Sequence, residues 1–197
     1  MPNRLHQDYP DSLLFEVLNE PHDNLTPELW NDYFEEALLH IRETNPDRVV
    51  LMGTALFGGL AGVPLIRLPE DDNVILSVHF YNPFNFTHQG AEWVGGDSDA
   101  WLGTRWLDTE AERQSILDEF RTTLAYSEEH NVLVHVGEFG AYSKADMESR
   151  AKWTNFLARW FEEQNFSWAY WEFNVGFGAY NMSQNQWKPF VLNALIP

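Results

Sequence analysis

Two stretches decide the fold: residues 13–22 read LLFEVLNEPH, and residues 132–140 read VLVHVGEFG. Each opens with an apolar run, which is typical of a strand buried on both faces of a parallel sheet. Each then reaches a glutamate, Glu20 or Glu138, near the end of the strand. Because parallel barrels gather chemistry at the carboxyl ends of their strands, both carboxylates are candidates for catalysis. A salt bridge to a neighbouring loop is the structural alternative for either glutamate alone.

The rest of the chain alternates between short apolar runs and stretches with helical periodicity. The pattern predicts five strands, over residues 13–18, 49–52, 74–78, 132–136 and 168–173. It predicts four main helices, over residues 27–44, 110–129, 144–164 and 187–196. Expected helix caps are Thr26, the Thr109–Glu112 capping box and Ser143.

This order predicts an α/β fold in which helices cover a parallel sheet. No repeat or linker interrupts the 197 residues, so we expect one domain over residues 1–197. A closed (β/α)8 barrel usually takes about 250 residues. The fold class is therefore a partial TIM barrel of about five strands, and the chain starts as if inside such a barrel.

Composition excludes several classes of function. The chain has 12 Lys+Arg, 30 Asp+Glu, a formal charge of −18 and no cysteine. Such a charge repels nucleic acid and anionic lipid, so neither is expected as a partner. No apolar run is long enough for a membrane span, and residues 1–10 show no secretory signal. His6, His40, His130 and His135 show no metal-ligand spacing, so neither a metal nor a cofactor is expected.

Polar and aromatic residues mark two further strand ends. His79 and Tyr81 follow the third predicted strand, and Trp171 and Glu172 lie at the end of the fifth. Two glutamates on two strands of one sheet are the groups that glycoside hydrolysis uses as acid/base and nucleophile. Aromatics make up 15% of the chain. They fit either a large core or a surface that stacks on the apolar faces of sugars.

Four motifs give the chain a resemblance to glycoside hydrolase family 5 of clan A, the cellulases. They are LNEPH (18–22), VHFYNPFNFTHQGAEW (78–93), VGEFGAY (136–142) and SWAYWEF (167–173). Within that family the chain most resembles thermophilic bacterial endoglucanases that also accept mannan. The resemblance implies that the five strands correspond to strands four to eight of the barrel. The arginine and histidines that the family supplies from strands two and three have no counterpart here.

The resemblance also implies roles for individual residues. Glu20 matches the acid/base and Glu138 the nucleophile. Among the implied substrate-binding residues, Asn19 matches the residue that holds the sugar 2-hydroxyl, and His79 and Tyr81 match a pair beside the nucleophile. His88 and Trp93 match loop residues that line the cleft. Trp171 matches the platform on which a sugar stacks, and Glu172 matches its polar neighbour. Phe57 in GTALFGG (53–59) stands where relatives carry tryptophan, which alters one stacking surface.

These observations lead to a retaining β-glycosidase of cellulase type that hydrolyses β-1,4-glucan or cello-oligosaccharides. The alternatives are β-glucosidase or mannanase specificity, or a carbohydrate-binding remnant without catalysis. A five-stranded sheet has two open edges, which invite pairing. We therefore expect a homodimer, or a higher even oligomer, in which a second chain covers the open side.

Overall fold

A computed structural model describes residues 9–10 and 12–196 of the chain. Its main sheet has five strands in the order β1 (Phe15–Glu16), β2 (Val50–Gly53), β3 (Val74–Phe80), β4 (Val134–Phe139) and β5 (Ser167–Trp168). The first three strands pair in parallel, with Phe15 opposite Val50 and Val50 opposite Val74. The strands thus follow one another across the sheet in chain order, as the alternating pattern predicts.

Helices occupy the connections between these strands. The α-helices of the described residues are α1 (Pro27–Arg42), α2 (Phe84–Thr87), α3 (Glu110–His130), α4 (Met147–Glu163) and α5 (Pro189–Leu195). Short 3-10 helices span Leu60–Leu65 and Ser98–Trp101. A small antiparallel hairpin pairs β6 (Tyr180–Asn181) with β7 (Gln186–Trp187). No described helix is both long and apolar enough to cross a membrane.

Two of the three expected helix caps are present. Thr26 accepts a hydrogen bond from the Leu29 amide at 3.4 Å. Thr109 and Glu112 form the reciprocal capping box, with distances of 2.8 Å and 3.3 Å. The cap expected at Ser143 is wrong, because Ser143 lies in a turn and α4 begins four residues later, at Met147. The cap of α4 is Asp146.

The predicted strand and helix bounds need correction at several ends. Residues 13–18 and 168–173 shorten to the two-residue strands β1 and β5, which are the outer strands of the sheet. An outer strand has a neighbour on one side only, so less of it forms a regular ladder. The last helix begins at Pro189 instead of residue 187, because Trp187 belongs to β7. The central strands β3 and β4 run further than predicted, to Phe80 and Phe139.

The chain divides into two compact units, and the first comprises residues up to 79 together with residues 121–135. Its core contains Trp30 and Phe34 of α1 and Met52 and Leu76 of the strands, all nearly inaccessible to solvent. The Trp30 indole donates a hydrogen bond to the Gly53 carbonyl at 2.7 Å. This bond holds α1 against the end of β2.

The second unit comprises residues 80–120 and 136–197. Its core is largely aromatic: Phe139 packs edge-on against Phe161 with ring centroids 5.3 Å apart, and Phe120 lies 5.5 Å from Phe161. Trp153 is fully buried in the same core. Perpendicular rings of this kind add stability beyond the area that they bury. Much of the aromatic content thus serves packing.

A largely buried ion pair joins the end of α1 to the loop before β3 in the first unit. Arg42 grips Asp71 through two bonds, Nε to Oδ2 at 2.6 Å and Nη2 to Oδ1 at 3.0 Å. Its Nη1 also donates to the carbonyl oxygens of Asn45 and Arg48. Both side chains of the pair are more than four-fifths buried, at 18% and 17% exposure. The hydrogen bonds from Arg42 hold the pKa of Asp71 below its ordinary value.

We predict that Asp71→Asn lowers the free energy of unfolding by about 1–3 kcal/mol, because it leaves the Arg42 guanidinium with a neutral partner. The pKa of Asp71 is lower in the folded chain, so its contribution is complete above a pH of about 4. It is lost as the pH falls through the folded-state pKa. Urea denaturation at several pH values measures this. The exposed neighbour change Asp72→Asn is the control, and equal effects of the two changes would contradict the prediction.

Candidate active site

The first candidate carboxylate, Glu20, lies in the first unit, four residues after β1. Its Oε1 atom is 2.9 Å from Nδ1 of His79. His79 lies on β3 and is only 6% exposed. The structure thus brings together two residues that the sequence analysis selected separately. Asn19, which precedes Glu20, is exposed in the same loop.

The loop after β2 packs against His79 and contains a run of residues in the left-handed region. Leu56, Phe57 and Gly58 have φ angles of 65°, 62° and 71°, a run in the left-handed region. The Gly58 carbonyl accepts a hydrogen bond from the His79 amide at 2.7 Å. A Cβ atom on Gly58 would lie 2.9 Å from Cγ of His79. Only glycine therefore meets both the backbone conformation and the close approach to the imidazole.

Phe57, which stands where the resembling family carries tryptophan, forms an exposed aromatic surface. Its ring stacks on His22, with centroids 4.3 Å apart and planes 13° from parallel. Its amide donates to the Pro21 carbonyl, and 54% of the residue is exposed. His22, which was not among the predicted site residues, thus joins Phe57 in one aromatic pair beside Glu20.

The second candidate carboxylate, Glu138, lies on β4 in the second unit and is 8% exposed. The Tyr81 hydroxyl donates a hydrogen bond to its Oε2 atom at 2.8 Å. The chain after Glu138 passes so near the Trp171 carbonyl that a Cβ atom on Gly140 would lie 2.0 Å from that oxygen. The VGEFG motif therefore needs glycine here to bring the two strand ends together.

An aromatic cluster surrounds Tyr81, and its centre is Phe177, a residue that was not among the predicted site residues. Phe177 is buried and lies within 5.4–6.1 Å of the rings of His88, Tyr81 and Trp93. His88 meets Tyr81 edge-on at 5.1 Å. No local signal in the sequence marks Phe177, because its partners come from distant parts of the chain.

Hydrogen bonds of the neighbouring residue Glu92 position the loop that carries Trp93. Glu92 accepts hydrogen bonds from Lys144 at 2.7 Å and from the Tyr142 hydroxyl at 3.0 Å. The bond from Lys144, its own backbone amide and Tyr142 lower the pKa of Glu92 to about 2. Tyr142 then packs edge-on against Trp93 at 4.9 Å. Trp93 is 59% exposed, so its ring is positioned and still available to a ligand.

The last two predicted residues follow β5. The Trp171 amide donates to the Phe139 carbonyl at 2.9 Å, and the residue remains 43% exposed. Glu172 turns one oxygen, Oε1, to the Phe177 amide at 3.2 Å. Glu172 thus supports the loop that carries Phe177. The structure places all the predicted site residues near strand ends or in the loops that follow them.

A parallel α/β sheet with hydrogen-bonded carboxylates at its strand ends and exposed tryptophans in its loops is the arrangement of glycoside-hydrolysing barrels. A family model described as Cellulase (glycosyl hydrolase family 5) matches residues 2–176. The chain belongs to glycosyl hydrolase family 5. The resemblance seen in the motifs is therefore confirmed, and the predicted fold class is confirmed with it.

Individual relatives agree with this family. The chain is 32% identical over 193 residues to Endoglucanase H of Acetivibrio thermocellus, covering 94% of this chain and 20% of that protein. It is similar to the structure of Thermotoga maritima Cel5A, with 46% identity, a TM-score of 0.93, and coverage of 96% of this chain and 61% of that one. It is also similar to CcsZ of Clostridioides difficile, with 36% identity, a TM-score of 0.93, and 97% and 63% coverage. The chain thus spans about three-fifths of these solved structures.

We predict that Gly58→Ala lowers the free energy of unfolding by about 1–3 kcal/mol, because alanine would be forced into the left-handed region against the His79 ring. Chemical denaturation measures the change. Gly96→Ala is the matched control, since a Cβ atom added at Gly96 would meet nothing within 4 Å and its backbone lies outside the left-handed region. It should stay within about 0.5 kcal/mol of the parent chain. A Gly58→Ala variant as stable as the Gly96→Ala control would contradict this account of the loop.

Proposed function

We propose that the chain is a retaining β-glycosidase that hydrolyses β-1,4-glucan, with Glu138 as nucleophile and Glu20 as acid/base. The observation that carries this proposal is the 2.8 Å hydrogen bond from the Tyr81 hydroxyl to Glu138. An ionised carboxylate only accepts hydrogen bonds, and a tyrosine hydroxyl is a suitable donor. A carboxylate held in its ionised form in this way can attack the anomeric carbon.

Glu20 has a different setting that suits a group which gives and takes a proton. Its Oε1 atom pairs with His79, whose ring nitrogens can donate or accept according to tautomer. Its side chain is 33% exposed, against 4% for His79. An acid/base must reach both the leaving oxygen and an incoming water, so partial exposure fits this role.

The reaction proceeds in two displacements. Glu138 attacks the anomeric carbon, and the bond to the leaving glycosidic oxygen breaks as Glu20 gives that oxygen its proton. This forms an ester between the sugar and Glu138. Glu20, now a carboxylate, takes a proton from water, and the hydroxide attacks the anomeric carbon. The ester bond breaks, Glu138 regains its charge, and the sugar keeps its β configuration. The mechanism uses no metal and no cofactor.

The remaining site residues supply substrate contacts in this proposal. Trp171 and Trp93 offer exposed rings for stacking against sugar faces. Asn19 binds the sugar 2-hydroxyl. His88 and Glu172 also support their neighbours: His88 packs against Tyr81, and Glu172 accepts a hydrogen bond from the backbone of the loop that carries Phe177.

We favour cello-oligosaccharides as substrates because similar proteins are named for, or were solved with, such sugars. Endoglucanase H at 32% identity is named for action on glucan, and Cel5A at 46% identity was solved with cellobiose. Cel5A was also solved with mannotriose. We therefore include mannan as a second substrate. Hydrolysis rates on cello- and manno-oligosaccharides of equal length measure the preference, and turnover of neither would favour the carbohydrate-binding alternative.

We predict that Glu20→Ala and Glu138→Ala each reduce hydrolysis of cello-oligosaccharides by on the order of 10²–10⁴-fold or more. Azide then separates the two roles on an aryl cellobioside with a good leaving group. In Glu20→Ala, azide should attack the sugar ester and yield the β-glycosyl azide. In Glu138→Ala, azide should replace the missing nucleophile and yield the α-glycosyl azide. Proton NMR of the anomeric centre distinguishes the products.

The matched control is Glu110→Ala, which removes an exposed carboxylate at the start of α3 and should keep full activity. Activity like that of the parent chain in Glu20→Ala or Glu138→Ala would refute the assignment of that residue. Inversion of configuration by the unchanged chain would refute the retaining mechanism.

We also propose that two copies of the chain associate along the β1 edge. Leu13, Leu14 and Leu18 are 40–44% exposed beside this outer strand. A groove of about 350 Å³ runs there, lined by Leu13, Leu14, Phe15, Glu16 and Ile41. An edge strand flanked by exposed leucines favours pairing with another edge, and a twofold dimer satisfies both copies equally.

We predict that light scattering behind a sizing column gives twice the chain mass of 22.9 kDa at micromolar concentration. Leu14→Glu should shift the protein to monomer, because it places a charge in the apolar groove. Leu39→Glu is the control, since Leu39 is 65% exposed on α1 outside the groove. A monomeric, active parent chain would disprove the dimer.

A further inference from the structure

A neutral segment follows Trp171 and Glu172 in the chain. Residues 173–187 read FNVGFGAYNMSQNQW, 15 residues without a charged side chain. The whole chain is 21% charged and carries a net charge of −18. About three charges would be expected in a segment of this length at that frequency. The segment therefore presents an uncharged surface in an otherwise acidic protein.

Three rings of this segment form one cluster on the surface. Phe173 and Tyr180 stack with centroids 5.0 Å apart and planes 10° from parallel. Trp187 meets both rings edge-on, at 5.8 Å and 5.2 Å. Phe173 is 54% exposed and Trp187 46% exposed. Rings that pack on each other while staying half exposed form a firm apolar surface.

Amide side chains border this cluster. The Tyr180 hydroxyl donates to Oδ1 of Asn185 at 2.8 Å. Gln186 and Asn181 both donate to Oε1 of Gln184 at 2.9 Å. An amide carries donors and an acceptor together, as a sugar ring carries hydroxyls that do both. The border therefore suits a polyhydroxylated, uncharged ligand.

The backbone ties the cluster to the candidate active site within the second unit. The Ala179 amide donates to the Glu172 carbonyl at 2.9 Å, and the Tyr180 amide to the Phe173 carbonyl at 2.7 Å. Phe173 is two residues from Trp171, and two residues of extended chain span at most about 7 Å. The Cα atoms of Phe173 and Trp171 therefore lie within about 7 Å of each other, so the cluster adjoins the candidate stacking residue.

We propose that Phe173, Tyr180, Asn185, Gln186 and Trp187, here named the hairpin platform, bind the distal sugars of an extended β-linked glucan. This inference deepens the proposed function and rests on it for the identity of the glycan. The rings stack on apolar sugar faces and the amides bond the hydroxyls. Phe173 lies two residues from the candidate stacking residue Trp171, which favours a glucan over a protein as occupant.

Calorimetry on the Glu138→Gln variant tests the platform without turnover, with cellobiose and cellohexaose as the two probes. Adding Trp187→Ala should weaken cellohexaose binding about tenfold, the loss of one ring contact with its buried area. The ratio of cellohexaose to cellobiose affinity should fall by about the same factor. Phe173→Ala is the second variant, used if Trp187→Ala does not fold. Phe190→Ala is the control, because Phe190 is 63% exposed on α5 outside the platform, and should keep the ratio.

An unchanged ratio in Trp187→Ala or Phe173→Ala would overturn the platform, and so would equal weakening of both probes. Loss of a dimer in these variants with the ratio unchanged would assign the surface to a protein partner and also overturn it. Failure of the proposed function looks different: the unchanged chain would then not hydrolyse an aryl cellobioside, whatever the ratio shows.

Discussion

The end of β3 is the feature on which the candidate site depends. Within three consecutive residues, His79 binds Glu20 and Tyr81 binds Glu138. Tyr81 is the first residue after β3, and Phe80 lies between the two partners in the chain. Phe80, the residue between, is 2% exposed and packs against Phe120 at 4.8 Å. One strand end thus supplies a partner to each carboxylate and anchors itself in the aromatic core through the residue between the two partners.

Burial makes these hydrogen bonds necessary. A polar group that loses water without finding a partner costs free energy, and a carboxylate costs more than a neutral group. Glu138 and His79 are 8% and 6% exposed, and each has a partner within 2.9 Å. The residues in the left-handed region that end at Gly58 lower the stability of the folded chain, and the loop that they form holds the imidazole in place. The fixed position of the polar groups therefore comes with a less favourable backbone conformation.

The sequence predicted those parts of the structure that depend on local pattern. The apolar runs of β3 and β4, the helix α1 with its Thr26 cap, and the Thr109–Glu112 box follow from neighbours in the chain. Features that depend on distant contacts were missed or misplaced. The start of α4 was misplaced, because the turn at Ser143 is bonded to distant Gly176 and the helix begins only at Met147. Two-residue strands such as β6 and β7 are too short for periodicity to show. Phe177 gains its importance only from rings that fold around it.

The division of the aromatic residues completes this picture. Phe139, Phe161 and Trp153 are fully buried and fill the core, where any ring of similar shape would contribute comparable area. Trp93 and Trp171 are 59% and 43% exposed, yet Tyr142 packs against the first and the Phe139 carbonyl binds the backbone of the second. An exposed ring that neighbours hold in place loses little conformational freedom when a flat ligand stacks on it. The same residue types therefore stabilise the fold inside and prepare a sugar-binding surface outside, and burial alone separates the two uses.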